Sequence, residues 1–247
     1  MGLPETFLDG IFFDYMVKYC SDLTDRSSFI WKNDTVSSEP IPFRKISKRS
    51  QNQKIILKAA EKVFAEAGFA GATTQLIADV AGLPKANVHY YFKTKEELYR
   101  RVVYTIFDTW MEAASAFDTA LGPKEALSRY IDMKMDLSRS HAYGSKVWAA
   151  EIMHGAPIIQ DYLEGRLLDW SKDRGQHIER WIKNGEMDEI DPAHLLYLIW
   201  STTQHYADFG HQIETLNGGV PYSDAQWKAA KQSVKTIILK GVGLTPD

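Results

Sequence analysis

Apolar side chains recur every three to four residues through most of the chain, which is the spacing of one face of a helix. The clearest examples are Ile55, Ile56, Ala59, Val63 and Phe64, and then Leu98, Val102, Ile106, Trp110 and Ala113. Glycine and proline are missing from long intervals such as 44–67 and 85–121, which exceed the length of hairpin strands. No stretch alternates polar and apolar residues over the length of a strand. The pattern therefore predicts an all-α fold.

Turn and capping residues divide this pattern into nine predicted helices. Gly68 and Gly82 are expected to end the first two, and Asp191 and Ser223 to cap the last two. The predicted ranges are Gln51–Ala67, Thr74–Ala81, Lys85–Phe92, Lys95–Phe117, 123–139, 143–153, 157–184, 192–214 and 224–241. Residues 1–43 contain loop signals instead, and we expect either a docking arm or a loosely ordered extension there.

Composition and charge indicate where the protein is located and what kind of partner it binds. The chain has 247 residues, a single cysteine that cannot form an internal disulfide, and no apolar run long enough to span a membrane. We therefore expect a cytoplasmic protein. The net charge of −3 hides a segregation, because residues 44–101 carry 12 basic and 5 acidic side chains between two acidic flanks. A basic module of this kind indicates an anionic partner such as nucleic acid.

The basic module contains the pattern of a helix-turn-helix between residues 73 and 95. Gly82 separates two short helices and can adopt the positive φ of a tight turn. We expect Ile77 and Val80 to face the core together with Val88 and either Tyr91 or Phe92. The exposed residues of the second helix are then Lys85, Ala86, Asn87 and His89. Small and polar groups suit the major groove of DNA, although a solvated helical hairpin has the same spacing, so both interpretations stay open.

The same segment resembles a known family. Residues 51–98, with "TTQLIADVAGL" followed by "VHYYFKTKEELY", are similar to the DNA-binding domain of the TetR family of bacterial transcriptional regulators. The resemblance implies a helix-turn-helix domain over 44–94 that binds double-stranded DNA, and a ligand-binding and dimerisation domain over 95–247. It implies DNA contacts at Thr74, Gln75, Lys85, Ala86, Asn87, His89, Tyr91 and Lys95. Lys48 and Arg49, in the basic arm before this segment, are expected to contact phosphates.

Two positions depart from the family pattern. Pro84 stands where a capping serine is common, and His89 stands where tyrosine is frequent. We therefore expect the second helix of the motif to lack a side-chain cap.

The C-terminal part is similar to one subgroup of the family, the pyrimidine-utilisation regulators. The similarity lies in "IFDTW", "EIMHGAPIIQDYL" and "IERWIKNGEMDEIDPAHLLYLIWSTTQHYADF". It implies a homodimeric repressor that leaves a pseudo-palindromic operator when a planar effector such as uracil or thymine binds. We expect the two subunits to meet through apolar stripes on the last two helices, at Leu196, Ile199, Ile237 and Ile238.

Aromatic and amide side chains of these helices form the candidate effector site. Its residues are Trp110, Trp148, Glu151, Trp200, Gln204 and His205. A flat heterocycle can stack on the indoles, and the amide of Gln204 carries a donor and an acceptor in one plane, as an imide edge requires. The alternative is that the aromatic residues are simply part of the core.

Other chemistry is sparse in this sequence. His205, Asp208 and His211 follow at three-residue steps, but no HExxH, CxxC or fourth ligand accompanies them. No nucleophile elbow or phosphate-binding loop occurs, so we expect no metal, no cofactor and no enzymatic activity. A small-molecule-binding protein or enzyme with an incidental basic hairpin is the competing interpretation, and the charge segregation favours the regulator.

Overall fold

The structure is a computed structural model that describes residues 48–115, 117 and 122–246. Residues 46–247 form one compact unit. The predicted extension over 1–43 lies outside the described residues. All regular structure within them is helical, which confirms the predicted fold class. None of the described helices is both long enough and apolar enough to cross a membrane.

The N-terminal module begins with three helices that are bounded by local capping interactions. They are α1 (Lys48–Gly71), α2 (Thr74–Ala81) and α3 (Lys85–Tyr91). The hydroxyl of Thr73 accepts a hydrogen bond from the N–H of Leu76 at 3.1 Å and so begins α2. Gly82 ends α2 in the left-handed region, with φ 62° and ψ 31°. Pro84 precedes α3 without a side-chain cap, as its sequence predicts.

The first helix differs from its predicted bounds at both ends. It begins at Lys48 rather than Gln51, and helical hydrogen bonding continues to Gly71. The break expected at Gly68 is nevertheless present, because this residue has φ 68° and ψ 174°. A short additional turn thus follows the break and leads into α2.

The core of the module differs from the prediction at one position. Ile77 and Val88 are fully buried, as expected. The prediction for Val80 is wrong, since its side chain is 45% exposed and Ala78 takes the second buried position. Helix α2 packs against both α1 and α3. Its buried face therefore contains the consecutive residues Ile77 and Ala78, and not Ile77 with Val80 three residues later.

The C-terminal part consists of eight further helices and one π-helical turn among the described residues. They are α4 (Lys95–Ala113), α5 (Pro123–Ser140), α6 (Ala142–Met153), α7 (Gln160–Tyr162), the π turn (Leu163–Leu167), α8 (Leu168–Lys183), α9 (Pro192–Asp208), α10 (Gly210–Leu216) and α11 (Asp224–Gly241). Asp191 caps α9 through two backbone N–H groups, and Ser223 forms a capping box with Gln226 before α11. Both caps agree with the sequence.

Two predicted helices are interrupted in the structure. The range 157–184 contains the π turn, which is one residue wider than an α-helical turn. The range 192–214 is broken at Phe209, whose φ of −107° and ψ of 26° leave the helical region. The ring of Phe209 stacks on His205 at 4.8 Å, and α10 starts at the next residue.

Two clusters of buried side chains hold the helices together, and α4 contributes to both. The first cluster joins the N-terminal module to α6 and α7 and includes Leu98. The second joins the end of α4, at Ala113, to α5, α8, α9 and α11. Helix α4 ends there rather than at the predicted Phe117. The predicted domain boundary after residue 94 falls inside the first cluster and stays a prediction.

Most of the residues expected to join two subunits are buried inside a single subunit. Leu196, Ile199 and Ile238 are at most 2% exposed and belong to the second cluster of their own subunit. The prediction that they form a subunit contact is therefore wrong. Of the four, Ile237 is the exposed one, at 69%.

Candidate DNA-binding surface and effector cavity

The predicted DNA-contacting residues lie on the first three helices and at the start of α4. Six of them are exposed, namely Lys48, Arg49, Gln75, Lys85, Ala86 and His89. The other four are partly buried, namely Thr74, Asn87, Tyr91 and Lys95. The basic start of α1 lies beside α3, because the guanidinium carbon of Arg49 is 5.9 Å from the ring centre of Tyr90. The packing therefore brings the basic arm next to the second helix of the motif.

Tyr90 is an exposed aromatic residue that the sequence pattern did not predict as a DNA contact. Its side chain is 61% exposed, whereas the predicted Tyr91 packs against the first core cluster. Helical spacing is the signal that distinguishes the two tyrosines. Val88 and Phe92 face the core, and a residue midway between them points away from it.

The ammonium of Lys95 is hydrogen-bonded within the protein. Its ammonium donates to the carbonyl oxygens of Phe69 at 2.7 Å and Ala72 at 3.0 Å, and it lies 4.5 Å from the Phe69 ring centre. The residue thus ties the end of α1 to the start of α4. Thr94 caps α4 next to it by accepting the N–H of Glu97 at 3.0 Å. Lys95 therefore positions the module, and its DNA contact stays a prediction.

A cavity of about 250 Å³ opens among α4, α5, α6, the π turn, α8 and α9. Four indoles form most of its wall, those of Trp110, Trp148, Trp170 and Trp200. Trp110 meets Trp148 edge-on with ring centres 5.2 Å apart, and Trp170 lies 5.9 Å from Trp200. Three of these residues and Gln204 are among those predicted for the effector site. The cavity is close to the lower end of the size range of small-molecule pockets, about 300 Å³.

Polar groups enter this aromatic cavity at Lys134, Tyr130 and Gln204. Lys134 is 2% exposed, and its ammonium lies 4.1 Å from the ring centre of Trp110. Burial lowers the pKa of Lys134 to about 7, although the carboxylate of Asp208 opposes this shift. Trp200 donates to the Tyr130 hydroxyl at 2.8 Å, and burial raises the pKa of that hydroxyl.

Two polar groups of the cavity wall form no hydrogen bond with the described residues, namely the ammonium of Lys134 and the side-chain amide of Gln204. Neither group is fully sealed from solvent. A ligand or water in the cavity can therefore complete their hydrogen bonds. The cavity is thus suited to a flat molecule that offers hydrogen-bond acceptors.

Comparison with known proteins supports both parts of the chain. A family model described as "Bacterial regulatory proteins, tetR family" matches residues 56–102, and one described as "YcdC-like protein, C-terminal region" matches residues 103–245. The chain belongs to the TetR family. It is therefore a helix-turn-helix transcriptional regulator that responds to a ligand.

Sequence relatives of this TetR-family chain are regulators as well. It is 36% identical over 193 residues to the HTH-type transcriptional regulator RutR of Escherichia coli K12, covering 78% of this chain and 91% of that protein. The similarity to the pyrimidine-utilisation regulator is thereby confirmed. The HTH-type transcriptional repressor NicS of Pseudomonas putida is 31% identical over 100 residues, covering 40% of this chain and 47% of NicS. An enzyme with an incidental basic hairpin is not what these relatives indicate.

Solved structures share the fold at low sequence identity. The ketosteroid transcriptional regulator KstR2 of Mycobacterium tuberculosis superposes with a TM-score of 0.63 at 20% identity, covering 83% of this chain and 98% of that one. The fatty acid degradation regulator FadR of Bacillus halodurans gives 0.58 at 20% identity, covering 79% and 97%. These neighbours support the architecture of the TetR-family chain.

Two residues predicted for the effector site, His205 and Glu151, lie outside the cavity wall. His205 is exposed and stacks on Phe209 instead. Asp208, three residues further along, accepts a hydrogen bond from Ser145 at 2.6 Å. Nowhere in the described part of the chain do three His, Cys, Asp or Glu side chains come together as a metal site.

Glu151 connects the regulator's two parts. It is 4% exposed and lies on α6. One carboxylate oxygen accepts from the hydroxyl of Tyr99 at 3.0 Å, and the other accepts from the N–H of Ile158 at 2.8 Å. The Tyr99 ring in turn packs edge-on against Phe64 and Phe69 of α1. Glu151 therefore joins α6 to the N-terminal module through α4.

Two arginine clamps attach α4 to the segment around the π turn. Arg100 donates to Asp161 at 2.8 Å and also to Tyr104 and the carbonyl of Ile158. Arg166 donates to Asp108 at 3.0 Å. The π turn contributes Leu163 and Leu167 to the cavity wall, so the same short segment contacts both the cavity and α4.

Proposed function

We propose that this regulator is a homodimeric repressor and that its effector, a pyrimidine base such as uracil or thymine, binds in the tryptophan-lined cavity. The observation that carries the proposal is the combination of four indoles with two unpartnered donors, Lys134 and Gln204. A pyrimidine base is planar and carries two carbonyl oxygens and an imide N–H. The relationship to RutR, a member of the pyrimidine-utilisation subgroup, supports the same ligand class.

Each side of the ligand has a matching group in this arrangement. The indole faces stack on the ring, and the Gln204 amide donates to a carbonyl and accepts the imide N–H. Lys134 donates to the second carbonyl oxygen. A buried lysine without a hydrogen-bonding partner lowers stability, so a role in ligand recognition gives a reason for its presence at this position.

Release from DNA requires that the ligand favour one arrangement of the two N-terminal modules over another. Helix α4 is the element best suited to transmit this preference. It carries Trp110 in the cavity wall, and it is fastened to the π-turn segment by Arg100 and Arg166. At its start, Lys95 ties it to α1. A change in the cavity can therefore alter the distance between the two copies of α3, the second helix of the motif, in the dimer.

Uracil and operator DNA are expected to weaken each other's binding by the same factor, about 5-fold to 150-fold, because coupling between two sites is reciprocal. Titration of uracil into the protein with and without operator measures the effect of DNA on uracil affinity. Titration of operator with and without uracil measures the effect of uracil on DNA affinity. The Gln204→Ala variant is expected to bind uracil about tenfold more weakly, since one hydrogen-bonding edge is removed. The exposed Gln212→Ala is the matched control. Equal uracil affinity with and without operator contradicts the proposed induction.

Replacing Lys48 and Arg49 by Ala should weaken binding to all DNA sequences alike. The logarithm of the affinity should then fall less steeply with the logarithm of the salt concentration, by about 0.9 in slope for each phosphate that is no longer neutralised. Gel shifts on operator and on unrelated DNA at several salt concentrations measure this slope. Lys228→Ala with Lys240→Ala, on α11, is the control of equal charge. An unchanged slope in the first variant removes the two residues from the interface.

Placing an aspartate at both Leu198 and Ile237 should convert the dimer into a monomer at micromolar concentration. These side chains are 46% and 69% exposed on α9 and α11, and a buried carboxylate without a partner costs several kcal/mol. Light scattering or sedimentation gives the mass directly. Ile55→Asp, an exposed isoleucine on α1, should leave the mass unchanged. A dimer that survives the double substitution places the interface elsewhere.

A further inference from the structure

A second recess lies away from the tryptophan-lined cavity, where α9 breaks and α10 begins. Its volume is about 380 Å³, and its wall comes from the ends of α5 and α9, the start of α6, α10, the loop before α11 and the start of α11. The small residues Ala207 and Gly210 stand on either side of the break at Phe209. An uninterrupted helix over this range would continue straight on, so the break is what opens this space.

The wall combines aromatic rings with an excess of hydrogen-bond donors. Tyr206, Tyr222 and Trp227 supply the rings, and Tyr206 meets Trp227 edge-on at 5.6 Å. The Nε1–H of Trp227 is buried and has no hydrogen-bonding partner. In the described part of the chain, the hydroxyls of Tyr206 and Tyr222 also have none. The recess wall thus carries two tyrosine hydroxyls without acceptors among the described residues, while the indole N–H of Trp227 is closed off from solvent.

The charges around the recess leave one cation without a directly paired carboxylate. Lys146 forms no ion pair or hydrogen bond with the described residues. Two nearby carboxylates are already engaged, since Asp224 pairs with Arg139 at 2.6 Å and Asp208 accepts from Ser145 at 2.6 Å. Glu214 is the one carboxylate in the wall itself. Lys146 is near enough to Asp208 to attract its carboxylate, but it contacts no carboxylate directly among the described residues. One such ammonium beside neutral donors matches one negative charge rather than two.

We propose that this recess is a second ligand site, and that it binds a small aromatic carboxylate. The ring would pack among Tyr206, Tyr222 and Trp227, and the carboxylate would accept hydrogen bonds from Lys146 and the two tyrosine hydroxyls. A phosphate dianion fits less well, because Arg139 is committed to Asp224. An uncharged heterocycle would leave Lys146 unmatched. The proposal does not rest on pyrimidine binding in the first cavity.

Benzoate is the probe, and benzyl alcohol is its uncharged counterpart with the same ring. Calorimetric titration of the full-length protein should show benzoate binding about tenfold more tightly than benzyl alcohol, the difference that one charge-assisted hydrogen bond makes. In Lys146→Gln this preference should disappear. Tyr222→Phe, which removes only a hydroxyl, should weaken benzoate by a smaller factor. Lys228→Gln on α11 is the charge control and should bind as the original protein does.

Localisation to the second recess is tested by Gln204→Ala, which alters only the first cavity. This variant should keep its full affinity for benzoate while binding uracil more weakly. The proposal is overturned if benzoate does not bind at millimolar concentration, if Lys146→Gln binds it unchanged, or if Gln204→Ala fails to bind it. Uracil titrations report on the first cavity separately, so failure of one proposal is distinguishable from failure of the other.

Discussion

Replacing Lys134 by Met is expected to raise the free energy of unfolding by about 3 to 5 kcal/mol at pH 6 and by much less at pH 10. Burial lowers the pKa of Lys134 from 10.5 to about 7, and each unit of that shift corresponds to about 1.36 kcal/mol. Below pH 7 the folded protein therefore carries a buried ammonium at full cost. Met fills the same space without a charge.

The pH dependence gives this prediction its sign. Between about pH 7 and pH 10.5 the unfolded chain keeps the Lys134 proton while the folded protein has released it. The unfolded state then binds more protons, so the stability of the original protein rises with pH across this window. The advantage of the Met variant shrinks accordingly.

Urea unfolding of the two proteins between pH 6 and pH 10 measures this change. The exposed Lys228→Met is the matched control and should track the original protein. Asp208 keeps its hydrogen bond from Ser145 in the variant. A Met variant that is less stable at pH 6, or a difference that stays constant with pH, contradicts the description of a lysine whose cost of burial exceeds the attraction of Asp208 and Trp110. Uracil affinity should fall in the same variant, because the donor to the second carbonyl is gone.

Replacing Glu151 by Ala is expected to lower the free energy of unfolding by about 2 to 4 kcal/mol. The substitution leaves the buried Tyr99 hydroxyl and the partly buried Ile158 N–H without an acceptor, and each such group costs about 1 to 3 kcal/mol. For a chain of this length the melting temperature should fall by about 2 to 4 °C for each kcal/mol. Thermal and urea unfolding measure both quantities.

Glu151→Gln separates the hydrogen bonds from the space that the side chain fills. It keeps the shape and one acceptor oxygen, so its loss of stability should be about half that of Glu151→Ala. Because Glu151 joins α6 to α4 and thence to α1, the Ala variant should also show weaker coupling between uracil and operator at a temperature where it is folded. If the Ala variant is less stable as expected but uracil and operator still weaken each other's binding to the same extent, Glu151 has only a structural role.

The N-terminal module could be predicted well because its signals are local. Thr73, Gly82 and Thr94 bound their helices through hydrogen bonds that reach only three or four residues along the chain. Burial was harder to predict, as Val80 shows. Its exposure depends on which neighbouring helices lie against α2, and periodicity in so short a helix does not determine that.

The cavity could be predicted only in part, because its wall is assembled from five helices that are distant in sequence. Tyr130, Lys134 and Trp170 line it and were not named from the sequence. One signal was available for Lys134. The buried face of α5 carries Leu127, Tyr130, Ile131, Lys134, Met135 and Ser138. A lysine at helical spacing within an otherwise apolar face indicates either a buried partner or a ligand.

The helix breaks had weaker signals still. Gly210 follows the break at Phe209, and Gly165 lies inside the π turn, but a single glycine often occurs within a continuous helix. The stacking of His205 on Phe209 and the two arginine clamps stabilise these irregularities, and all of them are interactions that form only in the folded chain.

The π turn accommodates one residue more than an α-helical turn while the helix on either side keeps its course. Asp161 on one side binds Arg100 of α4, and Trp170 on the other side lines the cavity. Deleting one codon within Leu163–Leu167 would therefore restore α-helical hydrogen bonding and leave these two residues close to their present places. Among relatives of this chain, a one-residue gap at these positions should be tolerated, and its effect should be confined to the part of the cavity wall that Leu163 and Leu167 form.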